Sequence, residues 1–354
     1  MRGRAIHSDE PVRCQPLLRP QVWGGRRLHT MLGKTLPTSE RYGEAWEVSP
    51  LLGNETPIWH SQQPLTELWS AGWGGWTELG LTEPPAFPWL LKWLDVEERL
   101  SIQVHPNAEQ ARRWTGQAAP KEEVWVVLSA EPTAVVWIGW HAGVQPVDVQ
   151  RALQQGRLVD CLRPYHPQPG DCFHIVPGTV HAAAGGLLFA EVQQPSDITF
   201  RLDDWGRVDA QGRTRPLHRE QAWDCLRWEA CEPRRRFVPS ATSTPGCSWA
   251  RADLLTGTFE LRRCLLIESY DDDAHSFSAW MVLRGRVEHR CFWGEYQLKH
   301  GDTLLVPRGC RGEWINRGDA EAELLQVCWQ PAGMGTTRPT VGLGCSSAPP
   351  QAAG

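Results

Sequence analysis

Along this chain, apolar positions fall in short runs rather than in long or helically spaced stretches: TPIWH, WLLKWLDV, LSIQVH, EVWVVLSA, AVVWIGW, CFHIV, GLLFAEVQQ and DITFRL. Glycine and proline, 33 and 28 residues, punctuate these runs with turn signals. Many short β-rich segments at turn spacing predict an all-β fold, a sandwich or barrel. Two helices interrupt the pattern. Asn107 is placed to cap Ala108–Trp114 with Gln110 as its capping-box partner. Pro146 opens a second helix through VDVQRALQQGRLVDCL that Pro164 stops, read as a surface insertion between strands.

After about residue 230 the basic, Pro- and Ser-containing stretch CEPRRRFVPSATSTPG reads as a linker, and a second β block follows. Within it, LRGRVEHRCFWGEYQLKHGDTLLVPRG echoes the earlier PGDCFHIVPGTVH: a Gly-Asp turn, an apolar strand, then Pro and Gly. The echo predicts two related β-barrels in one chain. The expected organisation is a flexible extension over 1–17, a first domain over 18–232 with N-terminal strands and a helical insertion, a linker over 233–246, a second barrel over 247–332, and a tail over 333–354 too poor in apolar residues to fold. The second block contains His275, His289 and His300 but lacks the histidine spacing of the first, so it is predicted to hold no metal.

Composition narrows the function classes. The 354 residues leave room for two cores. No apolar run is long enough to cross a bilayer, which argues against a membrane partner. A formal charge of −5 has the wrong sign for a nucleic-acid binder. The N-terminus, MRGRAIHSDEPVRC, has no apolar stretch for a secretory signal, so a cytoplasmic location is expected. Eleven scattered cysteines without a C-x-x-C pair suit free thiols in a reducing compartment. Oligomeric state leaves no mark in the sequence. Most of the 20 Trp, against four Tyr, belong to the core by residue type.

Candidate chemistry sits in three segments. In SIQVHPN, strand alternation turns Ser101, Gln103 and His105 to one side and Ile102 and Val104 to the other. In APKEEVWVVL, Lys121 and Glu123 share a face and Glu122 takes the opposite, solvated one. In PGTVHAAAGG, His181 follows a Gly-containing turn. Gln103, His105, Glu123 and His181 form a mixed nitrogen and oxygen ligand set without cysteine, acceptable to one Zn2+ per chain with a position left for water or substrate.

In order along the chain, RPQVWGGRRL, GEAWEVS, FPWLLKWLDVEERLSIQVHPN, KEEVW, GTVHA, EVQQPSDITFRLDDWGR and RPLHREQA resemble the signature segments of type I mannose-6-phosphate isomerases in their short bacterial form, over roughly residues 18–225. The resemblance implies a double cupin, two jelly-roll β-barrels with short helical insertions. It implies zinc held by His105, Glu123 and His181, with Gln103 as a further ligand. Arg201 becomes the active-site arginine, and Lys92, Ser101 and Lys121 cavity residues, with Glu191 and Asp197 in the matching EVQQPSD segment. Three departures stand out: Pro177 directly before the Gly-Thr turn, His174 at a position normally aromatic, and Val126 after the strand Trp.

The implied activity is a zinc-dependent aldose–ketose isomerisation of mannose 6-phosphate and fructose 6-phosphate through an enediolate. One carboxylate among otherwise neutral ligands leaves the zinc site near +1, suited to a developing negative charge. Arg201 is assigned to substrate and transition-state stabilisation, and Lys121 to substrate binding or proton transfer. The base stays open between Glu191, Lys121 and a metal-bound water. Two other readings exist for the same residues: an iron-dependent cupin oxygenase, and a non-catalytic sugar-binding or regulatory cupin.

Overall fold

The structure, a computed structural model, describes residues 5–209, 211–235, 237 and 249–329. Strands β1 (Leu17–Gly25), β2 (Tyr42–Val48), β3 (Leu90–Val96), β4 (Ile102–Val104), β5 (Glu123–Ala130), β6 (Val135–Trp140), β7 (Leu162–Tyr165), β8 (Cys172–Ile175), β9 (His181–Ala184), β10 (Leu187–Gln193), β11 (Phe200–Asp203) and β12 (Arg234–Arg235) build the first unit. They sort into a seven-stranded sheet, β1-β2-β3-β10-β5-β8-β12, and a five-stranded sheet, β11-β4-β9-β6-β7. The second unit contains β13 (Trp249–Leu255), β14 (Glu260–Leu266), β15 (Ser269–Asp272), β16 (Ser278–Arg284), β17 (Arg286–Cys291), β18 (Gly294–Lys299), β19 (Thr303–Val306), β20 (Gly312–Asn316) and β21 (Ala322–Cys328). Its sheets run β13-β14-β21-β16-β19 and β15-β20-β17-β18. The predicted all-β class is what the chain adopts.

Strand alternation explains where the cores lie. On β3, Leu94 and Val96 face the interior of the first unit, where they meet Val136, Ile138 and Ala183 of the opposite sheet. Leu91 and Trp93 face the other way and pack with Leu261, Ala279, Met281 and Leu325 of the second unit. The chain's two halves therefore share an apolar core between them. A strand buried on both faces reads as a near-continuous apolar run, as LLKWLDV does. Each fully buried large side chain there contributes about 1.5–3 kcal/mol. Two further clusters fill the second unit and the space between the five-stranded sheet and its covering helices.

The helix over Ala108–Thr115 has the predicted capping box, with Asn107 accepting from the Gln110 backbone and Gln110 from that of Asn107. The second helix is shorter than expected. It runs Pro146–Gln154, and the chain then turns at Gly156, φ +65°, into a 3-10 turn at Leu158–Cys161 and strand β7. Pro164 does not stop a helix; it lies within β7, the edge of its sheet, where a missing N–H costs no ladder bond. Short helices at Arg27–Thr30, Leu65–Ser70 and Arg219–Cys225, and a 3-10 turn at Trp76–Leu79, are additional to the two expected.

The N-terminal segment differs from the flexible extension expected over 1–17. Val12 exchanges backbone hydrogen bonds with Leu305 at 3.0 and 2.9 Å, and both Val12 and Cys14 are buried. In the stretch read as a linker, Arg234–Arg235 pair with Cys172 and Phe173, and Phe237 is buried; 236 and 238–246 lie outside the described residues, as does the tail expected over 333–354.

Glu122 is the clearest departure among the side chains. Alternation turns it away from Glu123, as predicted, but it is half-buried rather than solvated, held by His174 of the first unit and Thr258 of the second. Its carboxylate meets His174 Nε2 at 2.7 Å and accepts from Thr258 Oγ1 at 2.6 Å. This also places His174, on the outer face of β8, away from the candidate site. Burial raises the Glu122 carboxyl, but the bonds from His174 and Thr258 outweigh it and leave the pKa lowered. Its stabilising contribution is therefore complete above the ordinary carboxylate range and lost as pH falls below it. Glu122→Ala is expected to destabilise the protein by about 1.5–3 kcal/mol at neutral pH, the range for hydrogen bonds to charged groups, with metal content unchanged. Urea unfolding at pH 7 and pH 4 measures this: the difference from wild type should shrink at the lower pH.

Candidate metal centre and active site

Two rows of side chains face each other inside the first unit. Across the seven-stranded sheet, Trp46, Lys92, Glu191 and Trp125 occupy paired positions on β2, β3, β10 and β5. Across the five-stranded sheet the row is Arg201, Gln103 and His181 on β11, β4 and β9. Paired residues of antiparallel strands project to the same side, so each row is a consequence of register. Glu123 opens β5, and His105 ends the strand segment begun by β4. The turn before His181 depends on Gly178, at φ +86°: a Cβ there would lie 2.7 Å from the Cys225 carbonyl. Its N–H donates to the His105 carbonyl at 2.8 Å, tying the two histidine segments together.

His105, Glu123 and His181 converge, all buried, with one ligand atom from each within 4.8 Å of the others. Both His105 Nε2 and His181 Nε2 lie 3.4 Å from a carboxylate oxygen of Glu123. The two contacts run to different oxygens, Oε2 and Oε1, and ligands bonded at about 2.0–2.1 Å around a tetrahedral ion are about 3.3–3.4 Å apart, so each separation is one that a metal ion could bridge. The ring tautomers fit as well. His105 Nδ1 donates to the Ile198 carbonyl at 3.0 Å and His181 Nδ1 to that of Thr179 at 2.9 Å, which turns both Nε2 lone pairs inward. His105 Nε2 is a buried acceptor without a hydrogen-bond donor, and the buried Glu123 carboxylate has the Lys121 ammonium 3.2 Å from its Oε2. Such a cluster is costly unless a cation satisfies it.

Electrostatics support the same ligand states. Burial, then Lys121, pushes His105 down to about 3, and burial lowers His181, so both rings are neutral at pH 7. Burial acts to raise Glu123, yet the Lys121 ammonium beside it holds it well below the usual carboxylate range. Lys121 Nζ is 3.2 Å from Glu123 Oε2. The Gln103 amide contacts His181 Nε2 at 3.2 Å and accepts from Ser101 Oγ at 2.9 Å.

Beside this centre is a polar cavity of about 400 Å³ lined by Lys92, Ser101, Gln103, Lys121, Glu191, Asp197 and Arg201. Lys92 Nζ lies 3.2 Å from Glu191 Oε1, and the other Glu191 oxygen accepts from Trp125 Nε1 at 2.8 Å. Burial opposes the Lys92 charge, but Glu191 and Glu44 outweigh it and raise its pKa. Burial and Glu123 raise Glu191 against the pull of Lys92 and Lys121. Arg201 Nε is buried without a partner, and burial together with Arg215 lowers its pKa. Asp197 is exposed at the rim. Seven of the candidates read from the sequence thus line one cavity, and the other three, His105, Glu123 and His181, form the cluster beside it.

Residues 12–125 match the model of the type I phosphomannose isomerase catalytic domain. The chain is 32% identical to the mannose-6-phosphate isomerase ManA of Bacillus subtilis over 326 residues, 89% of this chain and 98% of that one. The chain belongs to the type I phosphomannose isomerase family. A mannose-6-phosphate isomerase of Streptococcus mutans is 34% identical over 88% of this chain and 96% of its own. Among solved structures, the B. subtilis mannose 6-phosphate isomerase superposes with a TM-score of 0.79 at 25% identity, covering 90% of this chain and 99% of that one. A mannose 6-phosphate isomerase bound with zinc and yttrium shares the fold at a TM-score of 0.68 and 14% identity, covering 91% and 100%. The cupin-type fold expected from the resemblance is the one this family member has.

Sequence reasoning missed part of the lining. Glu44 and Trp46 on β2, Arg19 on β1, Trp125 and Arg215 also border the cavity. Arg19 lies over the Trp46 ring at 4.7 Å and Lys92 over the same ring at 4.9 Å. The signal was present in YGEAWEV, where Glu44 and Trp46 share a strand face. Arg215 carried no periodic signal; it is held by Asp204, which accepts from its Nε at 2.8 Å.

Proposed function

We propose that this protein interconverts mannose 6-phosphate and fructose 6-phosphate at the His105–Glu123–His181 centre, with zinc as its resident metal and an enediolate between substrate and product. The observation that carries the reading is the meeting of a buried His–Glu–His trio with a cavity lined by Lys92, Lys121 and Arg201. The charge pattern suits an anionic sugar and gives an aromatic oxygenase substrate no advantage. His105, Glu123 and His181 would hold the metal, with the Gln103 amide oxygen as a further ligand once its side chain turns toward the centre. When bound, the zinc supplies a Lewis acid that polarises the sugar carbonyl.

The chain's own groups do the rest. Arg201, whose buried Nε lacks a partner, offers a fork for the phosphate or the developing oxyanion. Lys121 positions a substrate oxygen and balances the Glu123 charge. Glu191 takes the proton between C1 and C2, because its raised pKa moves a carboxylate toward the value a base needs at neutral pH. Lys92 and Trp125 fix its two oxygens. Asp197 closes the rim on the substrate side.

Turnover of mannose 6-phosphate in D2O tests the proton-transfer step. Deuterium on C1 of the fructose 6-phosphate formed is expected by NMR; product formed with complete retention of the substrate hydrogen would contradict a base that exchanges its proton with solvent. A second expectation concerns stoichiometry. Among the described residues the convergent ligand trio lies in the first unit, so elemental analysis should find one zinc per chain. Two tightly bound metals would place a second centre in the C-terminal barrel.

A further inference from the structure

A second cavity, about 680 Å³, opens between the N-terminal segment, β2 and the second barrel. That volume is within the usual range for small-molecule sites, about 300–1,000 Å³. It shares a wall with the active-site cavity. On β1 Leu18 faces the second cavity and Arg19 the first; on β2 Glu47 faces the second and Trp46 the first. Alternation along two strands thus separates two polar cavities by one layer of backbone.

Its lining carries more cations than carboxylates. Arg13, Lys34, Arg286, Lys299 and Arg317 border it with Glu47 and Asp302. Lys34 is spent on Glu47, 2.6 Å away and buried. Asp302 is shared between Arg13 at 2.9 Å and Lys299 at 3.6 Å. Glu288 is likewise shared, by Arg317 at 2.9 Å and Arg290 at 2.7 Å. Arg286 has no ion-pair partner among the described residues. The exposed Trp59 ring, with the Arg13 guanidinium 5.6 Å from its centroid, provides an apolar platform at the edge.

We propose that this cavity is a second, non-catalytic binding site for a small phosphorylated anion. Arg286 and Lys299 meet the phosphate, and Trp59 carries the organic part. Arg286 offers a planar fork whose charge is not already neutralised, the donor geometry that recognises phosphate bidentately.

Calorimetric titration of the zinc-loaded full chain with inorganic pyrophosphate at low ionic strength tests the proposal, using wild type, Arg201→Ala, Arg286→Ala and Lys299→Gln. A binding event is expected that persists in Arg201→Ala and weakens about tenfold or more in Arg286→Ala and Lys299→Gln. Isomerase turnover without pyrophosphate should be unchanged in the latter two. Both altered side chains are exposed, and circular dichroism verifies that the variants fold. Absence of binding in wild type, or binding that Arg286→Ala leaves at wild-type affinity, overturns the second site.

Discussion

Glu123→Gln is expected to lose most of its zinc and to lower isomerase turnover by at least about 100-fold, more than outer contacts to a metal usually cost. The substitution keeps size and most hydrogen-bonding capacity but removes the charge that faces His105 and His181 at 3.4 Å. It also leaves the buried Lys121 ammonium without its carboxylate, previously 3.2 Å away. Two neutral histidines and an amide then compete poorly for a divalent ion. The adjacent Glu122 provides the control, since its partners are His174 and Thr258 and its substitution leaves the ligand trio intact. Zinc content and turnover of both purified variants distinguish metal loss from a general stability effect. Metal loss in the Glu122 variant with a normal Glu123→Gln would reverse the strand register on which the site rests.

Arg201→Ala should lower turnover by roughly 100- to 1,000-fold while leaving zinc bound, the range for removing one preorganised donor at a developing charge. The argument rests on position. Arg201 pairs with Gln103 in the row that ends at His181, and it borders the cavity. Nearby Arg215 is committed to Asp204 and cannot take over. Reduced turnover with unchanged zinc content separates a substrate role from a metal-ligand role. Near-normal turnover would remove Arg201 from the reaction.

Most of the candidate site was legible because period-two alternation is a local property. Ser101, Gln103 and His105 were assigned to one face from SIQVHPN alone, and the register pairing Gln103 with His181 lies on that face. The capping box at Asn107 is likewise encoded within four residues. What failed was information held by distant parts of the chain. Alternation tells that Glu122 points away from Glu123, but not that Thr258 of the second unit meets it there. The pattern after Pro146 overextends the helix because Pro164 has the look of a helix stop, whereas an edge strand accepts proline as readily. The order of the segment around Val12 comes from Leu305, almost 300 residues away in sequence, and no local pattern announces it. Glu44 and Trp46 were readable from strand spacing; Arg215 became a cavity residue only through tertiary placement.

The most direct test is a coupled assay of fructose 6-phosphate formation from mannose 6-phosphate, run on the purified protein, after chelation, and after zinc is restored. Turnover that is present at first, is lost with chelator and returns with about one zinc per chain is the predicted result. Turnover that is absent with zinc bound, or unaffected after the metal has been removed, would contradict the account.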